Sequence, residues 1–206
     1  EGDFIRFQIA ATADEDATLT FASSNLPYGA TLNPTTGEFE WTPLYIQAGE
    51  YEIPFTVSDG TTTVAFTTKI TVGNANGAPV FDQQDGWQTL EGQLIGFTVF
   101  AYDPDNPYFS PLWRNEAGEL IETGDHPRTV DVELVGELPP GATFDPDTWR
   151  FSWLPGTQQA GDYTVTFRAT DMGDGGQPAL SDLITIPIKV FNQNLPPVLG
   201  PIANVT

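Results

Sequence analysis

The sequence predicts an all-β chain of two tandem sandwiches, on three observations. Short runs rich in Val, Ile, Thr and Phe are punctuated by turn residues, with 20 Gly and 18 Pro among 206 residues. Two long stretches of the chain repeat one another. No window carries a capped helical period.

The strands show first as alternation. Thr164 to Ala169 and Glu52 to Val57 switch between apolar and polar residues with the period of two that half-buries a strand. Val64 to Val72 forms another such run and ends at an Asn-rich linker. About seven short strands per unit, separated by turn signals, make a sandwich. Trp41 and Trp153 are expected to fill the space between its two sheets.

The repeat sets the domain organisation. The segment LPYGATLNPTTGEFEWTPLYIQAGEYEIPFTVSDG begins at Leu26, and LPPGATFDPDTWRFSWLPGTQQAGDYTVTFRATDM begins at Leu138. Laid together without a gap they share Pro27/Pro139, Gly29/Gly141, Phe39/Phe151, Trp41/Trp153, Gly49/Gly161, Tyr51/Tyr163 and Asp59/Asp171. The flanks repeat as well: Glu1-Gly2 matches Glu91-Gly92, and the acidic pairs Asp14/Asp16 and Asp103/Asp105 follow. Asn74-Ala75-Asn76 matches Asn192-Gln193-Asn194. The expected units are residues 1–76 and 77–195, the second with an insertion at about 106–131. Residues 196–206 resemble the lead-in to a third unit. A second, shorter insertion, Gly173 to Pro178, follows Asp171.

Composition narrows the function. With 39% hydrophobic and 12% aromatic residues the chain can bury cores and is no disordered tail. Its 28 acidic and 7 basic residues give a formal net charge of −21. No basic stripe exists to displace counterions from phosphates, which excludes nucleic acid and argues against direct contact with anionic membrane. Self-repulsion of this size calls for cations, held at clustered acids or screening a salt-adapted surface. The absence of Cys excludes disulfides and thiolate zinc sites, and the single His126 cannot build a histidine metal cluster.

The run L-P-x-G-A-T, then T-G-x-F-x-W-T-P, Q-A-G-x-Y and a strand ending S-D-G resembles the immunoglobulin-like modules of bacterial surface proteins, akin to dystroglycan-type cadherin-like domains. The resemblance covers nearly the whole chain apart from the first insertion. It implies two tandem immunoglobulin-like, cadherin-like Greek-key sandwiches from an extracellular or cell-surface protein, acting as spacer or adhesion module. Its partners would be neighbouring repeats of the same chain, with a surface polysaccharide or protein as adhesion target.

Similarity to cadherins further implies Ca²⁺ between successive units. At the junction inside this chain the ligands would come from Glu1, Asn74, Asn76, Asp103, Asp105 and Asp171. Glu91, Asn192 and Asn194 would begin the next junction, and Asp14, Asp16 and Asp59 would be half of a preceding one. The chemistry suits Ca²⁺, which takes six to eight oxygens from carboxylates, amides and carbonyls. Gly77 and Leu195 depart from the pattern, standing where cadherin linkers usually carry a further aspartate. Gln47 and Gln159 stand near where cadherins have an acidic segment. These departures imply about one or two ions per junction, held weakly in the ~10⁻⁴–10⁻³ M range. The same residues also suit ordinary turns, in which aspartate caps its own loop.

Two other functions bear on these residues. Carbohydrate recognition would use exposed aromatics of the second unit, foremost Tyr108 and Trp113, with Phe109, Trp87 and Trp149 in support; the same aromatics could simply pack an enlarged unit. Catalysis is not expected. The carboxylate pairs Asp103/Asp105 and Asp145/Asp147 stand in turn contexts, and no Gly-rich phosphate loop opens a helix.

Overall fold

The computed structural model describes residues 1–13, 17–107, 113–121 and 128–194. Among these residues there are strands, turns and loops but no α-helix. The first unit contains β1 (Ile5–Gln8), β2 (Thr20–Ser23), β3 (Thr31–Leu32), β4 (Glu38–Trp41), β5 (Gly49–Ser58) and β6 (Thr63–Val72). They form two antiparallel sheets, in the orders β1-β4-β3 and β2-β5-β6. The chain crosses between sheets after β1 and β2 and again after β4, which is the Greek-key crossing of a sandwich.

The second unit repeats this plan with additions. It runs β7 (Val80–Phe81), β8 (Trp87–Leu90), β9 (Ile95–Thr98), β10 (Ala101–Tyr102), β11 (Trp113–Arg114), β12 (Leu120–Ile121), β13 (Val130–Val135), β14 (Ala142–Asp145), β15 (Arg150–Trp153), β16 (Gly161–Asp171) and β17 (Ser181–Phe191). One sheet has the order β14-β15-β9 and the other β13-β16-β17-β8. The lead-in strand is split: β7 pairs antiparallel with β10, and β8 then pairs in parallel with β17.

Alternation built the cores as expected. In β5, Ile53 and Phe55 point inward; in β16, Val165, Phe167 and Ala169 do the same. Each unit has its own apolar cluster. Trp41 and Trp153, each 1% exposed, lie at the centre of them.

The repeated Trp, Gln and Tyr form one hydrogen-bonded device in both units. Trp41 Nε1 and Gln47 Nε2 donate to the carbonyl of Tyr28 at 3.1 and 3.2 Å. Gln47 Oε1 accepts from Leu44 N, and the Tyr51 hydroxyl donates to the Gln47 carbonyl. Trp153, Gln159 and Tyr163 repeat the set on the Pro140 carbonyl and Gly156 N. Gln47 and Gln159 therefore brace the turn ahead of the long strand. An amide supplies the donor and the acceptor that this turn needs, which a carboxylate could not.

Trp149 occupies the place of Gly37. Gly37 has φ 69° and Trp149 has φ 56°, a left-handed conformation that costs a non-glycine residue about 1–2 kcal/mol. Burial of the indole offsets that cost, with the Arg128 guanidinium 4.4 Å from its centroid.

The β11–β12 hairpin of the first insertion is latched to the β14–β15 turn by Arg114. Its Nε donates to Asp145 Oδ2 and its Nη2 to Asp147 Oδ2, both at 2.6 Å. This fork holds the Asp145 carboxyl down at about 2, well below the usual carboxylate range. Arg114→Ala is expected to leave global stability within ~1 kcal/mol, because the pairs are partly exposed. The same change should release the hairpin, read as faster amide exchange over residues 113–121.

Candidate metal centre

The candidate residues gather around the linker after β6. Glu1 sits at the start of the first unit, its main-chain nitrogen 3.0 Å from the Gly73 carbonyl. Its side chain turns to the linker, where Oε2 accepts from Ala75 N at 2.9 Å. Two residues on, Gly77 N donates to Asp105 Oδ2 at 2.7 Å. Between them, Asn76 Nδ2 faces Asp171, at 3.2 and 3.3 Å from its two carboxylate oxygens, and the Pro178 carbonyl at 3.0 Å. Three consecutive linker residues thus gather a carboxylate of the first unit and two of the second.

Each of three side chains on this stretch holds one oxygen that is buried and has no hydrogen-bond partner: Glu1 Oε1, Asn76 Oδ1 and Asp105 Oδ1. Buried acceptors are normally paired, and leaving one unpaired costs about 1–3 kcal/mol. Carboxylate and amide oxygens of this kind are the hard donors that Ca²⁺ prefers. The fit is partial, since no group of three or more Asp, Glu, His or Cys side chains stands ready for a metal among the described residues. The donor set here mixes two carboxylates with one amide.

Electrostatics favour the same reading. Burial, with the negative charges of Asp103 and Asp174 adding to it, pushes the Asp105 carboxyl up to about 6. The unfolded carboxyl titrates near its ordinary ~3.9, so between that value and about 6 the folded chain binds more protons than the unfolded one. Without a divalent ion, stability is therefore expected to fall as pH rises through this window. A pH series of melting curves in chelator checks it.

The other expected ligands divide. Asp103 and Asp171 are buried at the junction, with their carboxylates also serving the loops around them. Asp103 Oδ1 accepts from Asp105 N, and Asp171 Oδ1 accepts from Gly173 N and Leu180 N. Asn74 turns to the second insertion, its Nδ2 donating to Asp174 Oδ2 at 2.8 Å. Glu91 is buried with both oxygens on main-chain nitrogens, of Ala160 and Gln193. Its linker partners Asn192 and Asn194 are exposed. Asp59 caps its own turn, accepting from Thr61 N and Thr62 N, bonds that lower its pKa. Asp14 and Asp16 lie outside the described residues.

The aromatics of the carbohydrate reading also divide. Tyr108 and Phe109 lie outside the described residues, as does His126. Trp113 opens the short strand β11. Trp149 is buried in the core, whereas Trp87 is 38% exposed and stacks on Phe97 with ring centroids 5.1 Å apart.

Sequence reasoning did not assign the second insertion a part in the junction. Its Gln177 Nε2 donates to the Asn74 carbonyl, and Asp174 and Pro178 hold the linker side chains. A Cβ on Gly175 would lie 2.3 Å from Asn74 Nδ2 and would displace that side chain, and the left-handed φ of 57° there also favours glycine. Gly77 has a similar reason. A Cβ there would lie 2.8 Å from Pro104 and 2.9 Å from Tyr45, so the aspartate expected from cadherins has no room.

Several solved structures are similar to the chain. Human protocadherin-24 EC1-2 is 19% identical, with 91% of this chain and 88% of that chain covered and a TM-score of 0.40. Protocadherin gammaB7 EC3-6 is 21% identical, covering 92% of this chain and 46% of the other, with a TM-score of 0.41. An endo-fucoidan hydrolase of glycoside hydrolase family 107, MfFcnA4, is 22% identical at a TM-score of 0.37. The match takes in 87% of this chain, which spans only 24% of the hydrolase. No curated protein sequence matches the chain. With its profile matched over residues 1–73 and again over 118–185, the chain belongs to the immunoglobulin-like family described as "Putative Ig domain".

Proposed function

We propose that this chain is a calcium-stiffened, non-catalytic module of a secreted or cell-surface bacterial protein, acting as a spacer within an adhesive array. The supporting observation is the linker between the units, where Glu1, Asn76 and Asp105 each keep one buried oxygen without a partner. A Ca²⁺ ion there would draw the first unit, the linker and the second unit onto one point, turning a hinge into a strut. Asp103 and Asp171 stand beside it and would supply further charge.

The carboxylate pairs that could suggest hydrolysis are otherwise occupied. Asp145 and Asp147 are clamped by Arg114, and a carboxyl held at about 2 cannot act as a general acid at neutral pH. Asp103 and Asp105 belong to the junction.

Calorimetric titration with Ca²⁺, paired with small-angle scattering in Ca²⁺ and in EDTA, tests the proposal. Binding in the ~10⁻⁴–10⁻³ M range with a narrower spread of inter-unit angles is the expected result. No heat, and superimposable scattering curves, would refute it.

A further inference from the structure

We propose that Asn76 is a site of spontaneous deamidation, and that converting its amide to a carboxylate opens the junction when no cation is present. Asn76 is the one asparagine of this chain that precedes a glycine. Glycine carries no side chain to obstruct attack by its nitrogen on the preceding side-chain amide, so an Asn-Gly pair closes to a succinimide more readily than other Asn pairs. Asn194, in the matching place of the second unit, precedes Leu195 instead.

The reaction needs water alone. Gly77 N gives its proton to hydroxide and bonds to Asn76 Cγ. The Cγ–Nδ2 bond breaks, and ammonia leaves with a proton taken from water. Water then opens the ring at either carbonyl. One route leaves aspartate at residue 76. The other leaves isoaspartate, in which the main chain runs through Cβ and is one atom longer.

The junction cannot shed this chemistry by changing residue 77. A Cβ there would lie 2.8 Å from Pro104 and 2.9 Å from Tyr45, so packing demands the same glycine that makes Asn76 labile. The closed junction instead holds both reacting groups. Gly77 N donates to Asp105 Oδ2 at 2.7 Å. Asn76 Nδ2 lies 3.2 and 3.3 Å from the Asp171 oxygens and 3.0 Å from the Pro178 carbonyl. Cyclisation would break these contacts. It would also build negative charge on Gly77 N and on Asn76 Oδ1, beside the carboxylates of Asp105 and Asp171, where like charges disfavour it. Closure therefore protects Asn76, and deamidation belongs to the moments when the junction opens.

The product cannot restore what is lost. The amide nitrogen is a neutral donor to a carboxylate and a carbonyl of the second unit. An aspartate oxygen in its place is a charged acceptor facing acceptors, so the repulsion acts across the junction. Ammonia is lost to solvent, so each chain makes the change once. On the calcium reading proposed above, on which this consequence rests, the new carboxylate becomes a further ligand, and the altered junction closes only with the ion.

The test is run in EDTA throughout, which separates it from the calcium reading. The full chain and a synthetic peptide of residues 72–80 are incubated side by side, and conversion at each asparagine is read by peptide mapping and mass spectrometry. In the full chain Asn76 should convert ahead of every other asparagine, yet at least ~10-fold more slowly than in the peptide. Exchange of the Ala75 and Gly77 amides, which donate to Glu1 and Asp105, reports closure by NMR. Asn76→Asp should speed exchange at both at least ~10-fold over the parent chain, and Asn76→Ala, which removes the donor without adding charge, should speed it less. Residue 76 lies in neither core, so unchanged unfolding of both sandwiches serves as the check that the variants fold. An Asn76 that converts no faster than the other asparagines, one that converts as fast as the peptide, or an Asn76→Asp chain no more open than Asn76→Ala would each overturn the proposal.

Discussion

Trp153→Ala is expected to unfold the second sandwich at temperatures where the first remains folded. Trp153 is fully buried, meets Tyr163 edge-on at 4.8 Å and donates to the Pro140 carbonyl. Removing a buried indole costs about 3–5 kcal/mol, since the lost transfer energy is joined by the cavity left behind. That is a large share of the ~5–15 kcal/mol that holds a domain together. The two cores are separate clusters, so denaturation should resolve into two transitions, one displaced and one nearly unmoved. Trp153→Phe isolates the packing contribution. The Pro140 carbonyl still accepts from Gln159 Nε2 at 2.9 Å, so losing the indole N–H leaves it paired. The phenylalanine variant should therefore retain most of the stability. Trp41→Ala should give the mirror result, displacing the first transition instead. A single transition shifted as a whole would show that the units unfold as one body.

Asp105→Asn is expected to move stability in opposite directions with and without Ca²⁺. The amide oxygen of Asn can still accept from Gly77 N, so the linker contact survives. What disappears is a desolvated negative charge beside Asp103 and Asp174. In EDTA at neutral pH the variant should melt above the parent chain. In Ca²⁺ the order should reverse, because the parent gains about 1.4 kcal/mol at ten times its Kd. For a unit of this size that corresponds to roughly 5–10 °C in Tm. Affinity of the variant for Ca²⁺ should fall at least ~10-fold, through loss of a full charge at the ion. Parent affinity should also weaken as pH drops below about 6, where protons compete for the same carboxylate. Asp162→Asn serves as the control, since that exposed residue pairs with Lys189 on the neighbouring strand. Equal responses of all three chains to Ca²⁺ would place the ion elsewhere or nowhere.

The sandwich architecture was legible because it rests on local patterns repeated along the chain. Alternation in Glu52 to Val57 and Thr164 to Ala169 marked the long strands, which the structure extends to Gly49–Ser58 and Gly161–Asp171. The shared Trp, Gly and Tyr marked the repeat because each serves a single physical purpose. Trp fills the space between sheets, Gly enters a left-handed turn, and Tyr braces the turn with its hydroxyl. Gln47 and Gln159 were visible as repeated residues, but what they hold was not. Their contact depends on a carbonyl 19 residues away in each unit, at Tyr28 and Pro140.

The residue types at the junction were likewise present in the sequence, whereas their division of labour was decided in three dimensions. Glu1 and Glu91 occupy the same repeat position, yet Glu91 has both oxygens on main-chain nitrogens while Glu1 keeps one free. Asn74 and Asn76 are two residues apart, and one turns to Asp174 while the other turns to Asp171. Sequence alone determined the long strands, the two-unit repeat and the pool of oxygen donors, because periodicity and residue chemistry are local properties. Tertiary structure alone decided which donors meet and why residue 77 must be glycine. Those outcomes depend on distances between segments far apart in the chain, where an ångström of backbone separates a paired oxygen from an unpaired one.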